Sequence, residues 1–136
     1  MTTTLNTKVN PRYEIRIEDI DIKWGDIVFV DFGKGIGSEQ GGVRPAIVVQ
    51  NTNGYSVSPC TVVVPVTSEE KHRIPTHITL YPNSDNGLTK ISTAMCEQIR
   101  TIDKSRIKSK IGHIDMDMLV NRIQQSLSIA FSKNYC

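Results

Sequence analysis

The sequence predicts a mainly β domain of the α+β class: a small, strongly curved antiparallel sheet or half-barrel, closed by one C-terminal helix. Three observations carry that prediction. Short stretches rich in β-branched and aromatic residues follow one another, with glycine- and proline-rich turns between them. No helix-period segments alternate with them, so the βαβ rhythm of a parallel sheet is missing. One amphipathic run at helical spacing comes last, where it can cover the sheet. The 136 residues, 38% of them hydrophobic, suit a single core.

Residues 1–20 read as an N-terminal extension, partly flexible, and 21–136 as the domain proper. The first dozen residues are rich in Thr and Asn and end in Asn10-Pro11, a composition that favours a mobile arm. Tyr13, Ile15 and Ile17 then alternate with charges, which suits a short strand or extended lead-in over 13–20. Trp24-Gly25-Asp26 introduces the first secure strand, Ile27–Phe32. Five glycines in the ten residues from Gly33 to Gly42 make a long flexible connection. A second strand runs from Arg44 to Gln50, with Asn51-Thr52-Asn53-Gly54 as a turn after it. The third strand is Thr61–Thr67. Its interior Pro65 cannot donate to a ladder, which predicts an edge position or an early break. After a polar loop from Ser68 to Pro75, a fourth strand covers His77–Tyr81 and a dense turn signal covers Pro82–Gly87. Ser92–Ile99 reads as strand five. From Asp103 the period changes, first through a basic segment and then into a helix of about four turns. Met116, Leu119, Val120, Ile123, Leu127, Ala130 and Phe131 mark its apolar face, with Asp115 as N-cap and Asp117 in the first turn.

Composition limits the function classes. Sixteen basic and fourteen acidic side chains leave a net charge of +2, so any basic footprint for an anionic partner must be local. Cys60, Cys96 and Cys136 are scattered and odd in number, with no CxxC or Cys/His cluster. That speaks against a disulfide framework and a zinc site, makes Cys60 and Cys96 small apolar fillers, and predicts no metal or cofactor. No stretch reaches the roughly 18 apolar residues of a membrane span, and the N-terminus has no apolar signal region, so a cytoplasmic location is expected.

The stretch Gly37-Ser38-Glu39-Gln40-Gly41-Gly42-Val43-Arg44-Pro45, leading into Ala46-Ile47-Val48-Val49, puts a cation at the mouth of a strand behind a glycine-bearing loop. That is a place for an anion. Together with Trp24–Phe32, Pro65-Val66-Thr67 and Glu97-Gln98-Ile99-Arg100-Thr101-Ile102-Asp103, it resembles the MazF/PemK/Kid family of toxin endoribonucleases, on the Gram-positive MazF side. The resemblance covers roughly residues 22–131. It implies a barrel of the CcdB/MazF (SH3-like) type, a homodimer and metal-independent cleavage of single-stranded RNA by 2′-hydroxyl attack. The products would be a 2′,3′-cyclic phosphate or 3′-phosphate and a 5′-hydroxyl. A cognate MazE-like antitoxin would neutralise the toxin through a disordered acidic segment laid over the cleft.

Residue chemistry fits those expectations. Charge builds on the phosphoryl oxygens during such a reaction, and Arg44 offers a planar, permanently charged fork that can hold two of them. By the resemblance Arg44 and Thr67 are catalytic, Thr67 donating its hydroxyl to a phosphoryl oxygen. Glu39 is the candidate base for the 2′-hydroxyl, or alternatively a contact to a base edge or to backbone. His77 is a proton acceptor near neutral pH or, as a lone His on a strand more often is, a structural residue or plain RNA contact. Gln40, Asn51, Ser68 and Gln98 are polar at strand ends and loop roots, suited to the edges of splayed-out bases, and Lys71, Arg73, Arg100 and Lys104 to tracking phosphates. Two other classes compete. A CcdB-like gyrase poison would need a different C-terminal tail from Phe131–Cys136, and a non-catalytic RNA- or peptide-binding barrel would bind without cleaving.

Overall fold

The computed structural model describes residues 22–37, 39, 41–50, 58–69 and 71–132. The lead-in strand expected over 13–20 and the turn at 51–54 lie outside them. Seven antiparallel strands form one sheet: β1 Asp26–Asp31, β2 Val43–Val48, β3 Cys60–Thr67, β4 His77–Leu80, β5 Ser92–Met95, β6 Arg100–Asp103 and β7 Ile107–His113. Hydrogen bonding follows the path β4-β5-β3-β2-β1-β7, and β6 also pairs with β3.

The sheet is strongly curved but not closed into a barrel by a ladder. Its outermost strands, β4 and β7, are bridged instead by the turn after β4, where the His113 N–H donates to the Asp85 carbonyl at 2.9 Å. Alternation along the strands gives each face its own apolar cluster. Ile27, Ile47, Val64 and Val66 share one face with Leu119 and Ile123 of the C-terminal segment. Val28, Val30, Ala46, Val48 and Val63 share the other with Phe32, Ile102 and Ile107.

Pro65 lies in a central strand, contrary to the edge position expected of it. β3 pairs with β6 through Cys60–Val63 and with β5 through Val66 and Thr67, so Val64 and Pro65 fall in the gap between those two partners. A proline is tolerated there because the strand changes neighbours at that point. The expected fifth strand ends early for a related reason. Between the pairs Val66↔Ala94 and Val63↔Arg100, β3 advances three residues while the opposing chain advances six. The excess winds into a 3-10 turn, Cys96–Gln98, and the chain resumes as β6. The basic segment after Asp103 is a 3-10 turn, Lys104–Arg106, followed by β7, whose exposed Lys108 and Lys110 masked the alternation.

The helix begins as expected. Asp115 caps it by accepting from the Met118 N–H at 2.8 Å, and Asp117 accepts from the Asn121 amide at 2.6 Å. It is not uniform: α1 (Met116–Met118) passes through a π turn (Leu119–Ile123) into α2 (Gln124–Ala130). Leu119 and Ile123 are fully buried, whereas Met116, Val120 and Phe131 stand exposed, so the apolar face is narrower than the spacing predicts. Ser126 ties this segment to the polar loop by donating to the Pro75 carbonyl at 2.8 Å.

Candidate active site

Register explains how Arg44 and Thr67 meet. β2 and β3 pair as Ala46↔Pro65, Ile47↔Val64 and Val48↔Val63; carrying this antiparallel register two residues on sets Arg44 opposite Thr67. The side chains confirm it, with Arg44 Nη1 donating to Thr67 Oγ1 at 3.2 Å. Arg44 Nε donates to the Gly41 carbonyl at 2.7 Å, which orients the fork. That carbonyl is placed by a pinched loop base, where Gly42 N–H donates to Gly33 O at 2.7 Å and Phe32 N–H to Gly42 O at 2.9 Å. The loop crosses itself so closely that a Cβ at Gly41 would lie 2.8 Å from the Gly33 carbonyl oxygen.

Thr67 is almost fully buried and accepts a second bond from the Glu69 N–H at 3.1 Å. Both acceptor positions of its hydroxyl are therefore occupied. What remains is its proton, which no acceptor among the described residues takes. The pair is thus an oriented cation next to an oriented O–H donor. Both border a groove of about 330 Å³ together with Ser68, Phe29, Val43, Pro45, Leu88, Thr89, Lys90 and Ser92.

The other predicted residues are distributed as follows. Glu39 lines a second cleft, of about 570 Å³, with Glu97, Gln98, Ile99 and Arg100, so the loop before β2 faces the 3-10 turn that carries Gln98. One oxygen of Glu39, Oε1, accepts from the Ile36 N–H at 3.1 Å. His77 stands apart from Arg44: its Nδ1 donates to the His72 carbonyl at 2.8 Å, and its Nε2 lies 2.8 Å from Glu97 Oε2. The ring clamps the polar loop to the 3-10 turn. Arg100 lies over the Phe32 ring, 5.2 Å from its centroid. Lys104 is buried, and desolvation lowers its pKa from the ordinary value, so it is not on a phosphate-tracking surface. Gln40 and Asn51 lie outside the described residues. Burial, with the Glu97 carboxylate adding to it, pushes the Cys96 thiol up to about 12, which removes it as a nucleophile and agrees with its role as core filler. Among the described residues, no three His, Cys, Asp or Glu side chains are grouped as a metal site.

Sequence reasoning missed Lys90, Phe29 and the Gly87–Ser92 wall. Nothing local flags them: Phe29 reaches the groove through the pairing of β1 with β2, and residues 87–92 through the packing of the turn after β4 against β7.

A family profile described as "PemK-like, MazF-like toxin of type II toxin-antitoxin system" matches residues 23–131. The chain is 39% identical over 112 residues to Endoribonuclease EndoA of Bacillus subtilis (strain 168), covering 82% of this chain and 95% of that protein. Among solved structures, MazF of Deinococcus radiodurans superposes with a TM-score of 0.65 at 28% identity, over 79% of this chain and 93% of that one. A MazE–MazF structure from the same organism gives 0.61 at 26% identity, over 82% and 97%. A profile match spanning most of the chain, with a relative 39% identical over 82% of it, establishes that this chain belongs to the PemK-like, MazF-like family of toxins of type II toxin–antitoxin systems.

Proposed function

We propose that the chain is a toxin endoribonuclease that cleaves single-stranded RNA at the Arg44–Thr67 pair. The observation that carries this is the geometry of the pair: a guanidinium with spare N–H groups beside a hydroxyl left with only its proton to offer. Both line one groove, where such donors can serve the oxygens of a phosphodiester as charge develops on them. The ribose 2′-oxygen attacks the neighbouring phosphorus and the bond to the 5′-oxygen breaks. The 5′-oxygen takes up a proton to become a hydroxyl, and the 2′,3′-cyclic phosphate left behind opens to a 3′-phosphate on hydrolysis. Arg44 stabilises the charge and Thr67 donates to a phosphoryl oxygen. Glu39 is the base we assign to the 2′-hydroxyl: Ile36 holds its Oε1, and Oε2 is unoccupied among the described residues. Ser68, Gln98 and His77, with Gln40 and Asn51, complete the RNA-binding set, His77 acting by holding the turn that carries Gln98.

The working form is a homodimer in the cytoplasm, held in check by a MazE-like antitoxin. Relatives support the activity and the antitoxin: a homologue is named an endoribonuclease, and a MazF of the same fold has been solved with MazE. No helix among the described residues is long and apolar enough to cross a membrane. Arg44→Ala tests the reading. Incubated with a long RNA in EDTA, wild-type protein should leave 5′-hydroxyl ends at a short recurrent sequence, and the variant should leave none while keeping its circular dichroism spectrum. Undiminished cleavage by the variant would refute it.

A further inference from the structure

We propose that Arg106 is a positioning residue for Arg44: from the 3-10 turn between β6 and β7 it braces the base of the 33–42 loop, whose Gly41 carbonyl orients the Arg44 guanidinium. The proposal rests on the endoribonuclease reading and adds to it a residue that stands outside the groove.

The brace begins where a ladder stops. β1 and β7 pair as far as Val30↔Ile107, and the same antiparallel register, carried one residue on, sets Arg106 beside Asp31. There the chain has turned into the 3-10 segment Lys104–Arg106, and a side chain supplies the donor, Arg106 Nη1 to the Asp31 carbonyl at 3.0 Å. A charged donor makes that bond stronger than a neutral one would. The turn is itself held from several sides. Asp103 accepts from the Ser105 N–H at 2.8 Å, and the Lys104 N–H donates to the Pro59 carbonyl at 2.7 Å. Ile102 and Ile107, flanking the turn, are buried in the second apolar cluster. Arg106 is thus exposed to solvent but mounted on a fixed base.

From Asp31 the connection to Arg44 is continuous. Asp31 Oδ1 accepts from the Gly33 N–H at 2.9 Å, and Arg106 Nη1 packs so near that a Cβ at Gly33 would lie 3.4 Å from it. Gly33 and Phe32 are the residues that pinch the loop base through Gly42, and the preceding carbonyl, that of Gly41, takes Arg44 Nε. Arg100, at the start of β6, lies over the Phe32 ring, so both ends of the 100–106 segment grip residues 31–33. The loop cannot hold this shape alone. Five glycines in ten residues give it few side chains to pack and much backbone freedom to lose. Released at residues 31–33, it would let Gly41 drift and the Arg44 fork lose its aim, and a misplacement of about 1 Å can cost on the order of 100-fold in rate.

The test uses the full-length protein, isotopically labelled for nitrogen NMR. The Arg44 Nε–H resonance, identified by its loss in Arg44→Lys, should be sheltered from exchange with water by its bond to Gly41. In Arg106→Ala it should exchange on the order of tenfold faster, the effect of one lost hydrogen bond, while the circular dichroism spectrum stays the same. On a long RNA that variant should lose at least about tenfold in kcat with KM little changed, because an aim and not a contact has been removed. Unchanged Nε–H exchange would overturn the brace, whatever the rate. A fall of about 0.7 in the slope of log KM against log salt, one phosphate contact on a single strand, would put Arg106 on the RNA and overturn it as well. Should wild-type protein leave RNA intact, the endoribonuclease reading fails, and the exchange measurement still decides the brace.

Discussion

Thr67 has a single hydrogen-bonding option left, and a substitution series can isolate it. Thr67→Val keeps the shape and the β-branched fit but removes the hydroxyl, releasing Arg44 Nη1 and leaving the Glu69 N–H without its acceptor. Loss of one oriented donor to a developing oxyanion costs on the order of 100- to 1,000-fold in kcat. Thr67→Ser retains the proton and should recover most of that rate. Measured on one RNA, equal rates for the Val and Ser variants would show that the hydroxyl has no part in the reaction. Arg44 was readable as an anion site from the glycine-bearing loop before it. Its pairing with Thr67 was reached only through family resemblance, because the cross-strand register that joins residues 44 and 67 depends on a ladder no local pattern displays. His77 illustrates the same limit from the other side. Its titratable ring marked it as a proton acceptor, a structural residue or an RNA contact, and no local pattern showed that its two nitrogens engage the His72 carbonyl, five residues back in the loop, and Glu97, which the pairing of β4 with β5 brings near.

At the scale of elements, strands with apolar alternation were legible to within a residue or two, and those whose alternation is carried by charge were not. β1, β3 and β4 stand almost where the side-chain pattern put them. β7 did not announce itself, because its outward positions hold lysines and only Ile107 and Ile111 mark the inward side. The β5–β6 break was hidden by continuous strand-like composition across the 3-10 turn. The C-terminal helix was legible through its cap and its buried stripe, and those two features separate energetically. Asp115→Ala removes the bond to Met118 and should cost about 1 kcal/mol. Ile123→Ala opens a cavity beneath the π turn, in the cluster shared with Ile27, Ile47 and Val64, and should cost about 2–5 kcal/mol. Urea titrations of the two variants should show this ranking; a cap variant as damaging as the core variant would mean that the helix is held by its terminus rather than by the sheet.

For the whole molecule, the single sheet is shared by two apolar clusters, so unfolding either face exposes the backbone of the other, and the described domain should melt as one unit. Cys96 makes that cooperativity measurable through pH. Its thiol sits fully buried in the cluster under the helix and is pushed from 9.0 up to about 12 by desolvation and the neighbouring Glu97 carboxylate. Between those values the unfolded chain releases the thiol proton while the folded chain keeps it. The unfolded state then binds fewer protons, and stability falls as pH rises. The thiol's contribution is therefore complete below about pH 9 and is lost progressively toward pH 12. Wild-type protein should show a urea midpoint that drops across this window. Cys96→Ala should be less stable at neutral pH, from the lost packing, yet lose less of its stability over the same alkaline range. Parallel pH profiles for the two proteins would assign the alkaline loss to other groups, such as the tyrosines and lysines.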